Sequence, residues 1–161
     1  MKFEHLIRMT PPPEVSAPSI AREQLWQGLL SRARLPMTFD ENITFCDIRD
    51  KEADGFTREI RFGALVVIEH VRLEHGTAVH YETPATSEHP AARRSMIIEE
   101  PETGVLFVRF RHETEVREDA ETSPEELERL LPYLQSAYRE ADLDMAKRIL
   151  QLAHEGALPP Q

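Results

Sequence analysis

Cysteine is nearly absent from this sequence: Cys46 is the only one in 161 residues. No internal disulfide can form, which excludes the cross-linked scaffold of many small secreted domains. Cys46 lies in the run Ile43-Thr44-Phe45-Cys46-Asp47-Ile48, with no His or second Cys close by. It reads as a small, buried or half-buried strand residue and not as a nucleophile. Aromatic residues make up 7% of the chain, few for filling a wide gap between layers. Basic charge is scarce: 19 Lys and Arg stand against 29 Asp and Glu, a formal net charge of −10. Such a surface repels duplex nucleic acid and anionic lipid, so neither is an expected partner. The close basic pair Arg93-Arg94 reads as a solvated loop and not as a phosphate site. No apolar run approaches membrane-spanning length, and no signal-peptide core follows Met1-Lys2-Phe3-Glu4-His5. The expectation is a cytoplasmic protein without membrane insertion.

What is present is an ordinary folding composition, 40% hydrophobic and 30% charged, over a length that suits one domain spanning residues 1–161. Residues 2–9 alternate, with Phe3, His5, Ile7 and Met9 on one side of a strand. The Pro-rich stretch 11–18 cannot continue a ladder. A helix is predicted from Ser19 to Arg34, with Leu25, Trp26, Leu29, Leu30 and Ala33 on one stripe. Pro36 ends it, and a short turn or second helix follows through Met37-Thr38-Phe39. From 43 to 114 the period changes to two. Turn signals at Asp54-Gly55, Phe62-Gly63, His75-Gly76 and Pro101-Glu102-Thr103-Gly104 divide it into strands 43–50, 56–62, 64–74, 77–83, 94–100 and 104–114. With residues 2–9 that makes seven strands on short connections, an antiparallel sheet. Residues 84–93 read as a mobile loop.

A long helix closes the sequence. Ser123-Pro124-Glu125-Glu126 supplies an N-cap, a proline at the first helical position and a capping-box Glu. Leu127, Leu130, Leu131, Leu134, Tyr138, Ala141, Met145, Ile149 and Leu152 form its apolar stripe, which stops at Gly156. Pro132 interrupts this pattern and predicts a kink or short break. The fold class is therefore α+β: a curved sheet gripping one long amphipathic helix, with a pocket between them.

Several stretches carry a family resemblance. They are Met1-Lys2-Phe3-Glu4-His5, Arg22-Glu23-Gln24-Leu25-Trp26-Gln27-Gly28-Leu29 and Thr57-Arg58-Glu59-Ile60-Arg61-Phe62-Gly63. Further on come Glu99-Glu100-Pro101-Glu102, Leu106-Phe107-Val108-Arg109-Phe110 and Ser136-Ala137-Tyr138-Arg139-Glu140-Ala141-Asp142. In these the chain resembles the AtaL-like branch of the SRPBCC proteins, part of the START superfamily. Helix-grip members of that superfamily include plant pathogenesis-related allergens, lipid-transfer domains and polyketide aromatase/cyclases. The resemblance implies an apolar cavity for a hydrophobic or amphipathic, lipid- or polyketide-like small molecule. It brings no catalytic residue set and no cofactor.

Strand alternation nominates Phe3, Ile7, Phe62, Val66, Ile68, Tyr81, Ile98, Val108 and Phe110 as the sheet-side wall of that cavity. Tyr138, Ala141 and Met145 form the helix lid. The competing reading is that these side chains simply pack on one another. His5 and His112 fall on the apolar side of the first and last strands, which are neighbours in a helix grip. They can approach, to hold a polar head group or act as acid and base, or can be two satisfied histidines at a rim. No nucleophile or orienting carboxylate is evident beside them. Arg58, among apolar neighbours, can meet a ligand carboxylate or phosphate or snorkel at a strand end.

No metal site is expected. His70, His75 and His80 are spaced five apart across a turn, and His89 and His154 stand alone. Glu99, Glu100 and Glu102 surround a turn, while Glu125, Glu126 and Glu128 suit a helix start. Three functions stay open: a carrier of a hydrophobic metabolite, an aromatase/cyclase-type enzyme, and an interaction protein with a filled core. The ligand and the oligomeric state are not written in the sequence.

Overall fold

A computed structural model describes residues 1–115 and 123–158. Seven strands follow the period-two segments: β1 (Lys2–Arg8), β2 (Phe45–Glu52), β3 (Gly55–Phe62), β4 (Leu65–Glu74), β5 (Ala78–Thr83), β6 (Ala92–Glu102) and β7 (Val105–Thr114). They form one antiparallel sheet in the order β1-β7-β6-β5-β4-β3-β2. Tight turns at Gly76 and Gly104, with φ of 75° and 80°, occupy a region open to glycine and strained for other residues. Helix α1 (Arg22–Arg34) and a single 3-10 turn, Pro36–Thr38, lie between β1 and β2. Helix α2 (Pro124–His154) ends the fold. This is the helix-grip arrangement.

Each helix start has a local cause. The Gln24 side chain accepts the Ala21 N–H at 2.9 Å ahead of α1. Ser123 Oγ accepts the Glu126 N–H at 3.2 Å ahead of α2, as its capping sequence predicts. Pro132 causes no break, and α2 runs through it. The residue is exposed, so water can hydrate the carbonyl that proline leaves unpaired.

β1 and β7, the first and last strands in sequence, are brought together, with the terminal amine of Met1 donating to the Thr114 carbonyl at 2.7 Å. One sheet face packs on the helices. Met96, Ile98, Leu106, Val108 and Phe110 from β6 and β7 join Met145, Ala146 and Ile149 of α2 and Leu25, Leu29 and Ala33 of α1 in one buried cluster. The other face carries solvent-side ion pairs such as Arg109–Glu99 at 2.7 Å and Arg111–Glu4 at 3.0 Å. Among the described residues, no helix is long and apolar enough to cross a membrane.

Several expectations are corrected. In β4 the inward residues are Val67, Glu69, Val71 and Leu73, whereas Val66 is exposed and Ile68 half-buried on the outer side. Glu69 caused the error: a charge inside the apolar alternation makes the opposite phase read as the buried one. Ala141 is exposed, and Asp142 takes its place on the inward side of α2. Phe62 sits in a separate small cluster with Ile43, Ile60 and Val67. Arg93 and Arg94 belong to β6, which begins at Ala92, and not to a loop. The centre of the predicted cavity wall, around Val108, is occupied by packed side chains. An apolar depression of about 510 Å³ lies elsewhere, between residues 8–20 and the last turns of α2.

Candidate functional site

The gripped face changes character along its length. Where Leu25 and Leu29 of α1 and Met145, Ala146 and Ile149 of α2 cover it, the face is apolar. Under the end of α1, and towards the start of β1 and the end of β7, it becomes polar. His112 pairs in register with Phe3 on one side and Arg94 on the other, and Arg94 pairs with Tyr81. The inward side of four adjacent strands is thus a band of Phe3, His112, Arg94 and Tyr81.

At one end of this band His5 and His112 meet. Their Nε2 atoms lie 2.7 and 2.6 Å from the same oxygen, Oδ2 of Asp142. All three side chains are close to fully buried. Tyr138 stacks on His112 with ring centroids 4.5 Å apart, and Phe3 stacks on His5 at 5.3 Å. The orienting carboxylate that the sequence did not disclose is Asp142. Its signal was spacing: positions 138, 142, 145 and 149 follow the helical stripe, but an acid was passed over for its apolar neighbour. Two imidazoles bonded to one carboxylate can hold and relay a proton, and all three groups are of the types that ligate divalent ions.

At the other end, Arg58 is fully buried and donates from Nε to Glu69 Oε2 at 2.7 Å. Its Nη1 donates to the carbonyls of Ala33 at 2.7 Å and Arg32 at 3.4 Å, satisfying the end of α1. Arg58 therefore does not snorkel; it ties α1 to the sheet. Glu69 also accepts from Thr83 Oγ1 at 3.3 Å and lies 3.5 Å from Arg94 Nη2. Burial alone would raise the Glu69 carboxyl's pKa, but the charges of Arg94 and Arg58 outweigh it and hold the group below the usual carboxylate range. Tyr81 lies between two guanidinium groups, 4.9 Å from Arg58 and 4.6 Å from Arg94. Burial first, then repulsion from Arg94, pushes the Arg32 guanidinium down to about 10. Tyr81 Oη and Arg32 Nη1, both buried here, have no hydrogen-bond partner among the described residues, and Arg58 Nη2 faces Glu69 Oε2 at 2.6 Å. Arg94 keeps 28% of its side chain exposed and is the solvent-facing member of the cluster.

Of the candidates from sequence, the fold gathers Phe3, His5, Arg58, Tyr81, His112 and Tyr138 into this polar end. Ile98, Val108, Phe110 and Met145 lie in the packed centre, with Ile7 against it. Val66, Ile68, Phe62 and Ala141 are outside both. His70, His75 and His80 are bonded separately, to Thr57, the Ala53 carbonyl and Ser95.

The family profile of acetylaranotin biosynthesis cluster protein L, AtaL, matches residues 7–156. The chain belongs to the AtaL family. Comparison with curated proteins finds no significant sequence match. Among solved structures, the di-domain ARO/CYC StfQ of the steffimycin biosynthetic pathway is similar at TM-score 0.72 and 11% identity, covering 97% of this chain. This AtaL-family chain spans about half of StfQ, 52% of its length. Zhui aromatase/cyclase from Streptomyces sp. R1128 is similar at TM-score 0.64 and 10% identity, over 96% of this chain and 93% of that one. Ara h 8.0201 is similar at TM-score 0.60 and 12% identity, over 96% and 98%. At such identities the likeness carries the fold alone.

Proposed function

We propose that this AtaL-family chain binds an amphipathic small molecule whose anionic head group docks at Arg94, at the polar end of the gripped face. One observation carries the reading: Arg58 and Arg94 both pair with the one carboxylate of Glu69, and they lie beside the buried Arg32 guanidinium and a buried Tyr81 hydroxyl with no hydrogen-bond partner among the described residues. Unmet donors at a low-dielectric, net positive site favour a carboxylate or phosphate from outside. The apolar body has a surface to lie on. Leu130 and Leu134 continue the inward stripe of α2 beyond Tyr138 and are 50% and 44% exposed. StfQ and Zhui, named as aromatase/cyclases, share the architecture, which supports a small-molecule ligand and leaves its chemistry to this chain's own side chains.

Calorimetric titration with decanoate and with decanol tests the reading, because the two probes share a chain and differ in charge. A charged hydrogen bond contributes about 1.5–3 kcal/mol, so decanoate is expected to bind at least about tenfold tighter. Arg94→Gln should remove that preference and leave decanol unaffected. Equal affinities in the unaltered protein would overturn it.

A further inference from the structure

The geometry points to a binding site for a divalent first-row transition ion, of the zinc class, formed by His5, His112 and Asp142. This inference is independent of the head-group reading above, since it uses other side chains and another kind of ligand.

The donor set is the first support. Two borderline imidazole nitrogens with one hard carboxylate oxygen make a mixed set that suits zinc, cobalt, nickel or iron and is poor for calcium or magnesium, which want mostly oxygen. The second is convergence. The three residues come from β1, β7 and α2, and their ligating atoms all lie within 4.8 Å of one another. An ion at about 2.0–2.2 Å from each atom needs them roughly 3–3.5 Å apart in tetrahedral geometry. The contacts of 2.7 and 2.6 Å to Asp142 Oδ2 open by about half an ångström, and the two Nε2 atoms, now within 4.8 Å of each other, settle to the same spacing, movements within the reach of side-chain torsions.

The third support is the charge of the surroundings. Asp142 is 6% exposed, and among the described residues no Lys or Arg pairs with it. A buried carboxylate with two imidazoles as its partners is completed by a dipositive ion better than by either ring. The fourth is the shell. Phe3 and Phe110 stack on His5 and Tyr138 stacks on His112, which restricts both rings and limits water. Occupancy also sets the tautomer. Hydrogen bonds to Asp142 place a proton on Nε2 of each ring, whereas the ion takes both Nε2 lone pairs and leaves each proton on Nδ1. Three protein ligands leave a fourth position open to a small donor.

The test titrates Co2+ into chelator-treated protein and follows visible d–d absorption, then displaces it with Zn2+. One equivalent is expected. His112→Ala and Asp142→Asn should each weaken binding by more than the roughly 10–100-fold lost with an outer-shell partner. His154→Ala, on the exposed end of α2, should leave it unchanged. Circular dichroism checks that the variants are folded. Should either variant fail to fold, paramagnetic broadening in the unaltered protein decides. Selective loss of the His5, His112 and Tyr138 ring signals at one equivalent supports the site. Broadening spread over the exposed histidines, no protein-dependent absorption, or full binding retained in folded Asp142→Asn would each overturn it.

Discussion

Glu69 holds its charge in the interior because Arg58 and Arg94 stand beside it. With its carboxyl held below the ordinary range, its contribution to stability is fully present above pH about 4.5 and is lost as pH falls through the depressed folded value. Glu69→Gln removes that contribution and leaves Arg58 buried with no counter-charge, at an expected cost of about 3–5 kcal/mol. Urea unfolding at a series of pH values should show the variant weakened at pH 7 and with a shallower acid slope. Replacing both partners, Arg58→Met with Glu69→Met, should cost much less, since a buried pair is poor value against apolar packing. The same residue shows where reading by alternation stops. Val67, Val71 and Leu73 would have fixed the inward phase of β4, had a lone Glu among them not implied solvent. A charge tolerated only through a partner on the next strand has no signature in its own segment.

The helices meet where Gly28 of α1 faces Ile149 of α2. A Cβ at position 28 would come 2.5 Å from Ile149 Cγ2. Gly28→Ala should therefore destabilise by about 1–3 kcal/mol despite alanine's better helix propensity. Ile149→Ala alone, emptying a buried site, should cost about 2–5 kcal/mol. The double variant should cost less than the sum, and thermal or urea melts of the four proteins measure that coupling. The ends of α2 were legible because capping is local: Ser123 and Pro124 announce the start whatever lies elsewhere. Its inward line was legible only in part. Positions 141 and 142 flank the line through Tyr138 and Met145 almost equally, and hydropathy alone chose Ala141. The buried position belongs to Asp142, whose partners on β1 and β7 lie more than a hundred and thirty and exactly thirty residues away, respectively.

Across the whole molecule, the packed centre and the polar end make opposite forecasts for added volume. Val108 is 1% exposed among Met96, Phe110 and the α2 side chains. Val108→Trp should cost about 1–3 kcal/mol in a thermal melt, because no space awaits the indole. An unchanged or raised melting temperature would reveal a cavity there. The strand count, the antiparallel sheet and the closing helix were readable from turn punctuation and period, since each rests on neighbouring residues. The site was readable in part: His5 and His112 share an apolar side on strands expected to be neighbours, whereas Asp142 gains its meaning only after the first strand, the last strand and the final helix have met.

That meeting has an order in time. The pairing that anchors Met1 to Thr114 closes a loop of 113 residues, the kind of non-local contact whose chain entropy makes it slow to form. Asp142 arrives later still during synthesis. A nascent chain can display β1 and complete the hairpins from β2 to β7 while His5 and His112 still lack the carboxylate that joins them. Binding competence therefore switches on at the end of folding, and any ligand that requires this trio selects finished molecules over unfinished ones.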